Sequence, residues 1–375
     1  MKKIKAIISG GGTGGHIFPA LSIAGKLMEM NPENEILFVG ANGRMEMEKV
    51  PAAGYPIIGL DIQGFQRKNL LKNVTLPYKL WKSLRKSRRI IREFQPDIAI
   101  GVGGYASAAL LMAATQMKIP TLIQEQNGFA GLTNKLLGKK ADKICVAYEG
   151  MERFFPADKI IFTGNPIRND MIPATPESRQ EACEYYGLSP EKKKILIVGG
   201  SLGSRTLNEA VLAWLEEGCQ GNEEVEILWQ CGKFYKNEIE QKMQQYEDMP
   251  WRKFIHFTDF IGRMDLAYAM ADVVISRSGA CSVSEICACA KASILVPSPN
   301  VTEDHQTFNA MALVKNGAAQ LIRDNEAVEK LMRAALGLVN QEEKIKEMER
   351  NALLLARPDA AQTIAQEAYK LMEKK

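Results

Sequence analysis

Short apolar runs alternate with longer amphipathic segments along the whole chain. In the first half, residues 4–9, 36–39, 57–60, 98–102, 121–123, 143–146 and 160–162 have the length and β-branched content of strands. Helical spacing fills the gaps between them, and that alternation predicts a parallel α/β sheet. Gly164-Asn165-Pro166 ends the series, and residues 171–190 form a polar, proline-bearing stretch without a strand. A domain boundary is expected there. The pattern restarts with strands at 194–198, 226–229, 254–257, 273–276, 293–296 and 319–322. Two doubly wound domains follow, residues 1–165 and 166–357, expected to face one another across a cleft. A last helix at 358–375 is expected to join the first domain.

Each half opens on a strand followed by glycines. Gly10-Gly11-Gly12-Thr13-Gly14-Gly15-His16 follows the first strand and precedes the apolar positions Ile17, Leu21, Ala24, Leu27 and Met28 of a helix. Glycines let backbone N–H groups approach a phosphate, and the helix N-terminus adds positive partial charge. The dinucleotide fingerprint is met at Gly10, Gly12 and Gly15, but Gly40-Ala41-Asn42 after the second strand supplies no carboxylate for a ribose. A P-loop fails because His16-Ile17 stand where Lys and Ser/Thr are needed. What remains is a glycine loop carrying a histidine, a side chain able to act as a base near neutral pH. The plainer reading is a tight turn with a capping histidine.

Composition narrows the class. The 375 residues suffice for about two ordinary domains. Hydrophobic content of 46% and charged content of 25% are those of a globular protein. A net charge of +4 directs attention to local charge. The seven cysteines contain no C-x-x-C pair, which favours free thiols in a reducing compartment. His16, His256 and His305 are far apart, so a histidine-based metal site is not expected. No export signal is read at Met1-Lys2-Lys3, and no apolar run reaches the roughly 18 residues of a membrane span. Membrane contact would be peripheral.

One stretch is strongly basic. Between Gln66 and Arg92 lie Arg67, Lys68, Lys72, Lys79, Lys82, Arg85, Lys86, Arg88, Arg89 and Arg92 without one Asp or Glu. Leu70, Leu71, Val74, Leu76, Tyr78, Leu80, Trp81, Leu84 and Ile90 are interleaved. Such a mixture suits an anionic membrane surface. A solvated helix face packed on the sheet is the plainer alternative, and nucleic acid is disfavoured by the weak overall charge.

The second half carries its own candidates. Gly199-x-Ser201-x-Gly203 fits a nucleophile elbow, with His256 and His305 downstream, yet its place after a first strand and its flanking Gly200 and Ser204 fit a phosphate cradle better. Ser282-x-x-Glu285, opening a helix expected at 285–290, reads either as a capping box or as a helix N-terminus on a diphosphate with Glu285 on a ribose. Asn127-Gly128 is a turn dipeptide whose amide could contact a sugar. Asp304-His305-Gln306 lies in a loop, and Arg168 stands at the boundary, placed to clamp a phosphate or to form a surface ion pair.

In order, the segments GGGTGGHIFP (10–19), GGY (103–105), EQNGFAGLTN (125–134), GNPIR (164–168), GGSLG (199–203), RSGACSVSE (277–285) and DHQTFNA (304–310) closely resemble the bacterial MurG family. That family adds N-acetylglucosamine to a lipid-linked muramoyl-pentapeptide, and the resemblance covers essentially the whole chain. It implies an inverting glycosyltransferase with two Rossmann-like domains, the GT-B α/β fold, and no metal or other cofactor. By this resemblance the C-terminal domain binds UDP-N-acetylglucosamine. Ser201 would meet the diphosphate, the backbone at Ile261 the uracil, and Ala280, Cys281, Ser282, Val283, Ser284 and Glu285 the nucleotide, with Glu285 on the ribose. Gln306 would hold sugar hydroxyls with His305 beside it, and Thr13, Gly14, Gly15, Asn127 and Arg168 match further donor contacts.

The undecaprenyl-diphosphate-linked acceptor would be held by its diphosphate at Gly11, Gly12, Gly103, Gly104 and Tyr105. His16 would be the base that activates its 4-hydroxyl, and Glu125 either a helper or the residue that orients the 125–134 loop. The resemblance places the protein on the cytoplasmic face of the inner membrane, and Lys82, Arg85, Lys86, Arg88 and Arg89 are the residues expected to face it. No nucleic-acid partner is expected. Two departures, Ser204-Arg205 after Gly203 and Cys281 where the family is often aliphatic, remove no functional group. The rivals are a UDP-N-acetylglucosamine 2-epimerase on the same architecture and a non-catalytic sugar-nucleotide or membrane-binding module.

Overall fold

A computed structural model describes residues 2–62, 64, 74, 76–200, 202–222 and 225–373. The chain forms two compact units, residues 1–168 with 357–375, and residues 169–356. The break thus falls between Arg168 and Asn169 rather than after Asn165.

The first unit contains β1 (Lys5–Gly10), α1 (Gly14–Met30), β2 (Glu35–Ala41), α2 (Glu46–Ala52), β3 (Ile57–Leu60), α3 (Leu76–Phe94), β4 (Ile98–Gly103), α4 (Tyr105–Gln116), β5 (Thr121–Glu125), α5 (Leu132–Gly138), β6 (Lys143–Val146) and β7 (Ile160–Phe162). The strands pair in parallel in the order β3-β2-β1-β4-β5-β6-β7. They read as unbroken apolar runs because helices cover both faces of the sheet. Successive residues still alternate sides: Ile7 packs with Leu110 and Ile123, while Ala6 and Ile8 pack with Ala20 and Ile23 of α1. The buried stripe of α1 is Ile17, Ala20, Ile23, Ala24 and Leu27; Leu21 and Met28, expected on that stripe, lie at its edge.

The second unit contains α6 (Pro176–Tyr186), β8 (Lys194–Val198), α7 (Arg205–Glu216), β9 (Glu226–Gln230), α8 (Lys236–Gln244), β10 (Ile255–Thr258), α9 (Met264–Met270), β11 (Val273–Ser276), α10 (Ala280–Ala288), β12 (Ala292–Leu295), α11 (His305–Val314), β13 (Ala319–Leu321), α12 (Ala327–Val339) and α13 (Glu342–Leu355). Its parallel sheet runs β10-β9-β8-β11-β12-β13. Helix α6 occupies the stretch read as merely polar. Its signals are local: Thr175 and Ser178 form a reciprocal cap, Pro176 starts the helix, and Gly187 at φ 66° ends it.

After α13 the chain returns to the first unit as α14 (Ala360–Glu373), which starts two residues later than the 358 expected. Ile364, Ala365, Ala368 and Tyr369 bury against α1, and Asn34 donates to the Tyr369 hydroxyl at 2.8 Å. In each sheet the strand order reverses beside the first strand of the unit, between β1 and β4 and between β8 and β11. In open α/β sheets ligands bind at the carboxyl ends of strands at such a switch point.

Candidate active site

In the first unit Gly10 of β1 is in register with Gly103 of β4, so the two following loops are packed together at the switch point. The glycines there answer to close packing. A Cβ on Gly104 (φ +89°) would come within 2.6 Å of the Gly11 carbonyl oxygen, and one on Gly103 (φ +104°) within 2.8 Å of the His16 imidazole. Gly103 and Gly104, assigned to the acceptor diphosphate, thus have a second reason to be glycine: they make room for the histidine and its loop. Tyr105 starts α4 about half exposed, its ring against Gly64. Thr13 is the N-cap of α1 in extended conformation, and Gly12, Thr13 and Gly15 are exposed.

A carboxylate reaches this loop, though not one free to hold a ribose. Glu46, the first residue of α2, is fully buried. It accepts hydrogen bonds from Gly12 N–H and Ala41 N–H, each at 2.9 Å. It braces the loop between β1 and β2, and the Gly12 N–H proposed for a phosphate is engaged by that carboxylate. Glu46 lies five residues beyond Ala41, and α2 brings it back to the end of β2.

His16 is half-buried, and its Nδ1 lies 3.0 Å from Oε1 of Gln126, a residue only 1% exposed. Gln126 directly follows β5, the strand next to β4. Glu125 is 2% exposed and accepts from Asn127 N–H at 3.1 Å, Gly131 N–H at 3.1 Å and Asn134 Nδ2 at 2.9 Å. Those bonds tie the carboxylate to the 126–131 loop. Asn127 is half-buried on that loop, and Arg168 is exposed at the end of the unit.

In the second unit the turn after β8 is built from glycines at φ +86° (Gly200) and φ +85° (Gly203), the latter within 2.2 Å of Cys231 O for any added Cβ. Ser201 lies outside the described residues. Ser204 caps α7 and accepts from Arg277 Nε at 2.9 Å. Arg277, just past β11, also donates to Val296 O at 3.0 Å and pairs with Asp324. One guanidinium therefore ties the exits of β8, β11 and β12 together. Arg277 opens the RSGACSVSE segment, whose pattern alone carries no sign of this bracing role.

Helix α10 begins at Ala280 with Gly279 as N-cap. Ser282 therefore sits inside the first turn and no capping box forms with Glu285. Glu285 instead accepts from the Tyr268 hydroxyl at 3.2 Å, and Ala280 to Glu285 span the first turns of a helix at the switch point. Burial pushes the Cys281 thiol up to about 12, with Glu285 adding to the effect, so it stays protonated at neutral pH. Gln306 Oε1 accepts from Ser298 N–H at 2.8 Å, and Asn309 on the same helix donates to Ser278 O at 3.1 Å. His305 is half-buried at the start of α11, after the left-handed residues Glu303 and Asp304. Ile261 is buried and lines a cavity of about 510 Å³ with Tyr185, Tyr186, Phe257 and Phe260. Among the described residues no group of three or more His, Cys, Asp or Glu is placed to hold a metal ion.

The basic stretch from Leu76 onward is α3; Arg67, Lys68 and Lys72 lie outside the described residues. Its buried side is Ser83, Ser87, Ile90 and Ile91. Arg88 is half-buried and donates to Gln116 of α4. Lys86 donates to Gly59 O at 2.7 Å, Lys82 pairs with Asp61 at 3.3 Å, and Arg89 pairs with Glu93 at 2.7 Å. Arg85 lies over the Trp81 ring at 4.8 Å, beside exposed Tyr78. Among the described residues no helix is long and apolar enough to cross a membrane.

Comparison with known proteins agrees with this layout. Residues 6–146 match the glycosyltransferase family 28 N-terminal domain, and residues 194–364 the C-terminal domain of the same family. The chain is 53% identical over 375 residues, covering 100% of both chains, to the UDP-N-acetylglucosamine–N-acetylmuramyl-(pentapeptide) pyrophosphoryl-undecaprenol N-acetylglucosamine transferase of Parabacteroides distasonis. Acinetobacter baumannii MurG superposes with a TM-score of 0.78 at 30% identity, covering 98% of this chain and 100% of that one. A putative UDP-N-acetylglucosamine 2-epimerase from Listeria monocytogenes shares the fold, with a TM-score of 0.71 at 18% identity, covering 100% of this chain and 98% of that one. The chain belongs to glycosyltransferase family 28 and, within it, to the N-acetylglucosaminyltransferases of the MurG type.

Proposed function

We propose that this chain moves N-acetylglucosamine from UDP-N-acetylglucosamine to the 4-hydroxyl of a muramoyl-pentapeptide carried on undecaprenyl diphosphate, with His16 as the base. The observation that supports this most is the imidazole at the β1/β4 switch point, in a pocket that Gly103 leaves open. The acceptor oxygen attacks the anomeric carbon from the face opposite UDP. As the new C–O bond forms and the bond to the phosphate breaks, the hydroxyl proton passes to His16. Inversion then gives a β-linkage. The negative charge that develops on UDP is stabilised by N–H groups of the Gly199–Ser204 turn, the N-terminus of α7 and Arg168.

The second unit takes the donor: the uracil at the backbone of Ile261, the ribose at Glu285, the diphosphate at Ser201, and the sugar at Gln306 with His305 beside it. Glu285 already holds one hydroxyl donor, Tyr268, which fits a carboxylate built to accept from a diol. The first unit takes the lipid diphosphate near Gly11, Gly12, Gly103, Gly104 and Tyr105, with Glu125 shaping the neighbouring loop. Mixing the protein with donor and a lipid-linked muramoyl-peptide should yield a β-linked disaccharide and UDP in equal amounts. Release of UDP, or epimerised sugar, without acceptor would instead favour the epimerase reading.

The protein is proposed to work at the cytoplasmic face of the inner membrane through the first turns of α3. There Tyr78 and Trp81 are exposed beside Arg85, an aromatic and cationic pair suited to anionic headgroups. Lys82 and Arg89 sit in exposed pairs that headgroups can replace at little cost. The Trp81→Ala, Arg85→Gln double variant should bind anionic vesicles roughly tenfold more weakly. Equal binding would leave α3 as a solvated face.

A further inference from the structure

We infer that Gln126 is a positioning residue that sets the tautomer of His16, holding a proton on Nδ1 so that the neutral ring keeps its lone pair at Nε2. The inference rests on the reading of His16 as the base and names the atom that takes the proton.

The argument begins with the Gln126 amide, whose orientation its buried surroundings determine. Nε2 donates to Val102 O at 2.7 Å, to Gln124 O at 3.2 Å and to the side-chain oxygen of Gln124. Turning the amide over would set its oxygen against three acceptor oxygens in a site 1% exposed, at the full cost of unmet buried polar groups. Gln124 is fixed in turn, because its own Nε2 donates to Asn165 Oδ1 at 3.0 Å while Asn165 Nδ2 donates to Gln126 O at 3.0 Å. The chain of amides therefore has one polarity, and it delivers an acceptor, Gln126 Oε1, to His16 Nδ1 at 3.0 Å. An acceptor there requires an N–H on Nδ1. Which ring nitrogen carries the proton is set by the bond the other makes. In the imidazolium formed after proton transfer the same bond becomes charge-assisted and stronger, so Gln126 favours the protonated product of the step.

The test reads the tautomer directly. With only His16, His256 and His305 in the chain, ¹⁵N-histidine labelling gives few signals, and the pair lost in His16→Gln identifies His16. At alkaline pH the wild type should show Nδ1 protonated and Nε2 unprotonated. Gln126→Leu should shift His16 toward the opposite tautomer and lower kcat by roughly ten- to a hundredfold, with KM for both substrates little changed. Gln126→Glu keeps an oxygen facing Nδ1 and should retain the wild-type tautomer, while its second oxygen, set against Val102 O and Gln124 O, should lower stability. Gln126→Leu with an unchanged tautomer and kcat overturns the inference, as does a wild-type ring protonated at Nε2. Should His16→Gln itself turn over like wild type, the base reading fails, whereas the ¹⁵N pattern still reports on Gln126 separately.

Discussion

Replacing His16 by Ala is expected to lower kcat by about 10²–10⁴-fold, the range carried by a positioned general base. Affinity for UDP-N-acetylglucosamine should change little, because Ile261, Glu285 and Ser201, assigned to uracil, ribose and diphosphate, belong to the second unit and the first-unit donor contact Arg168 is untouched. The fold should tolerate the change: the imidazole is half-buried, and its removal leaves the Gly10/Gly103 register and the Glu46 brace in place. The measurement is single-turnover formation of the disaccharide at saturating substrates, beside donor binding by calorimetry. A variant that bound donor poorly yet turned over at the wild-type rate would move the base elsewhere.

The second large effect is expected at Arg277. Arg277→Met removes the donor from Ser204, Val296 O and Pro297 O at once and leaves Asp324 without its cation. The pair is mostly sequestered, at 15% and 24% side-chain exposure, so the abandoned carboxylate is only partly resolvated. We expect a loss of about 2–4 kcal/mol from the second unit. Since Ser204 caps α7 behind the glycine turn, donor affinity should fall as well. Replacing Asp324 by Leu in the same chain should recover part of the stability, because the charge left unpaired is then gone. Three of the four tryptophans, Trp214, Trp229 and Trp251, report on this unit, so urea unfolding followed by their fluorescence checks the claim. Unchanged stability would mean that the three strand exits are held by other contacts.

Both sheets were legible in the sequence because parallel strands buried on two faces must be nearly continuous apolar runs, as at Ile4 to Ser9 and Lys194 to Val198. The parts that escaped are those in which a polar side chain acts through a neighbour far along the chain. Gln126 reaches His16 across 110 positions, and no spacing rule links a glutamine after one strand to a loop after another. Glu46 was missed because a fingerprint search looks just beyond the second strand, whereas α2 folds the carboxylate back onto Gly12 and Ala41. At Ser282-x-x-Glu285 the pattern was present but out of phase. The extended backbone of Gly279 (ψ 148°) lets the helix start at Ala280, which moves Glu285 from a cap to a helix interior position. Helix α6 was passed over because its apolar stripe is weak, although Thr175, Pro176 and Gly187 mark both its ends.

The pH dependence of kcat/KM, compared between the wild type and His16→Gln, tests the assignment of the proton acceptor most directly. In the wild type the rate should fall tenfold for each unit of pH below the imidazole's own titration, and that acid limb should vanish in the variant along with most of the rate. An identical acid limb persisting in His16→Gln would show that another group takes the acceptor's proton.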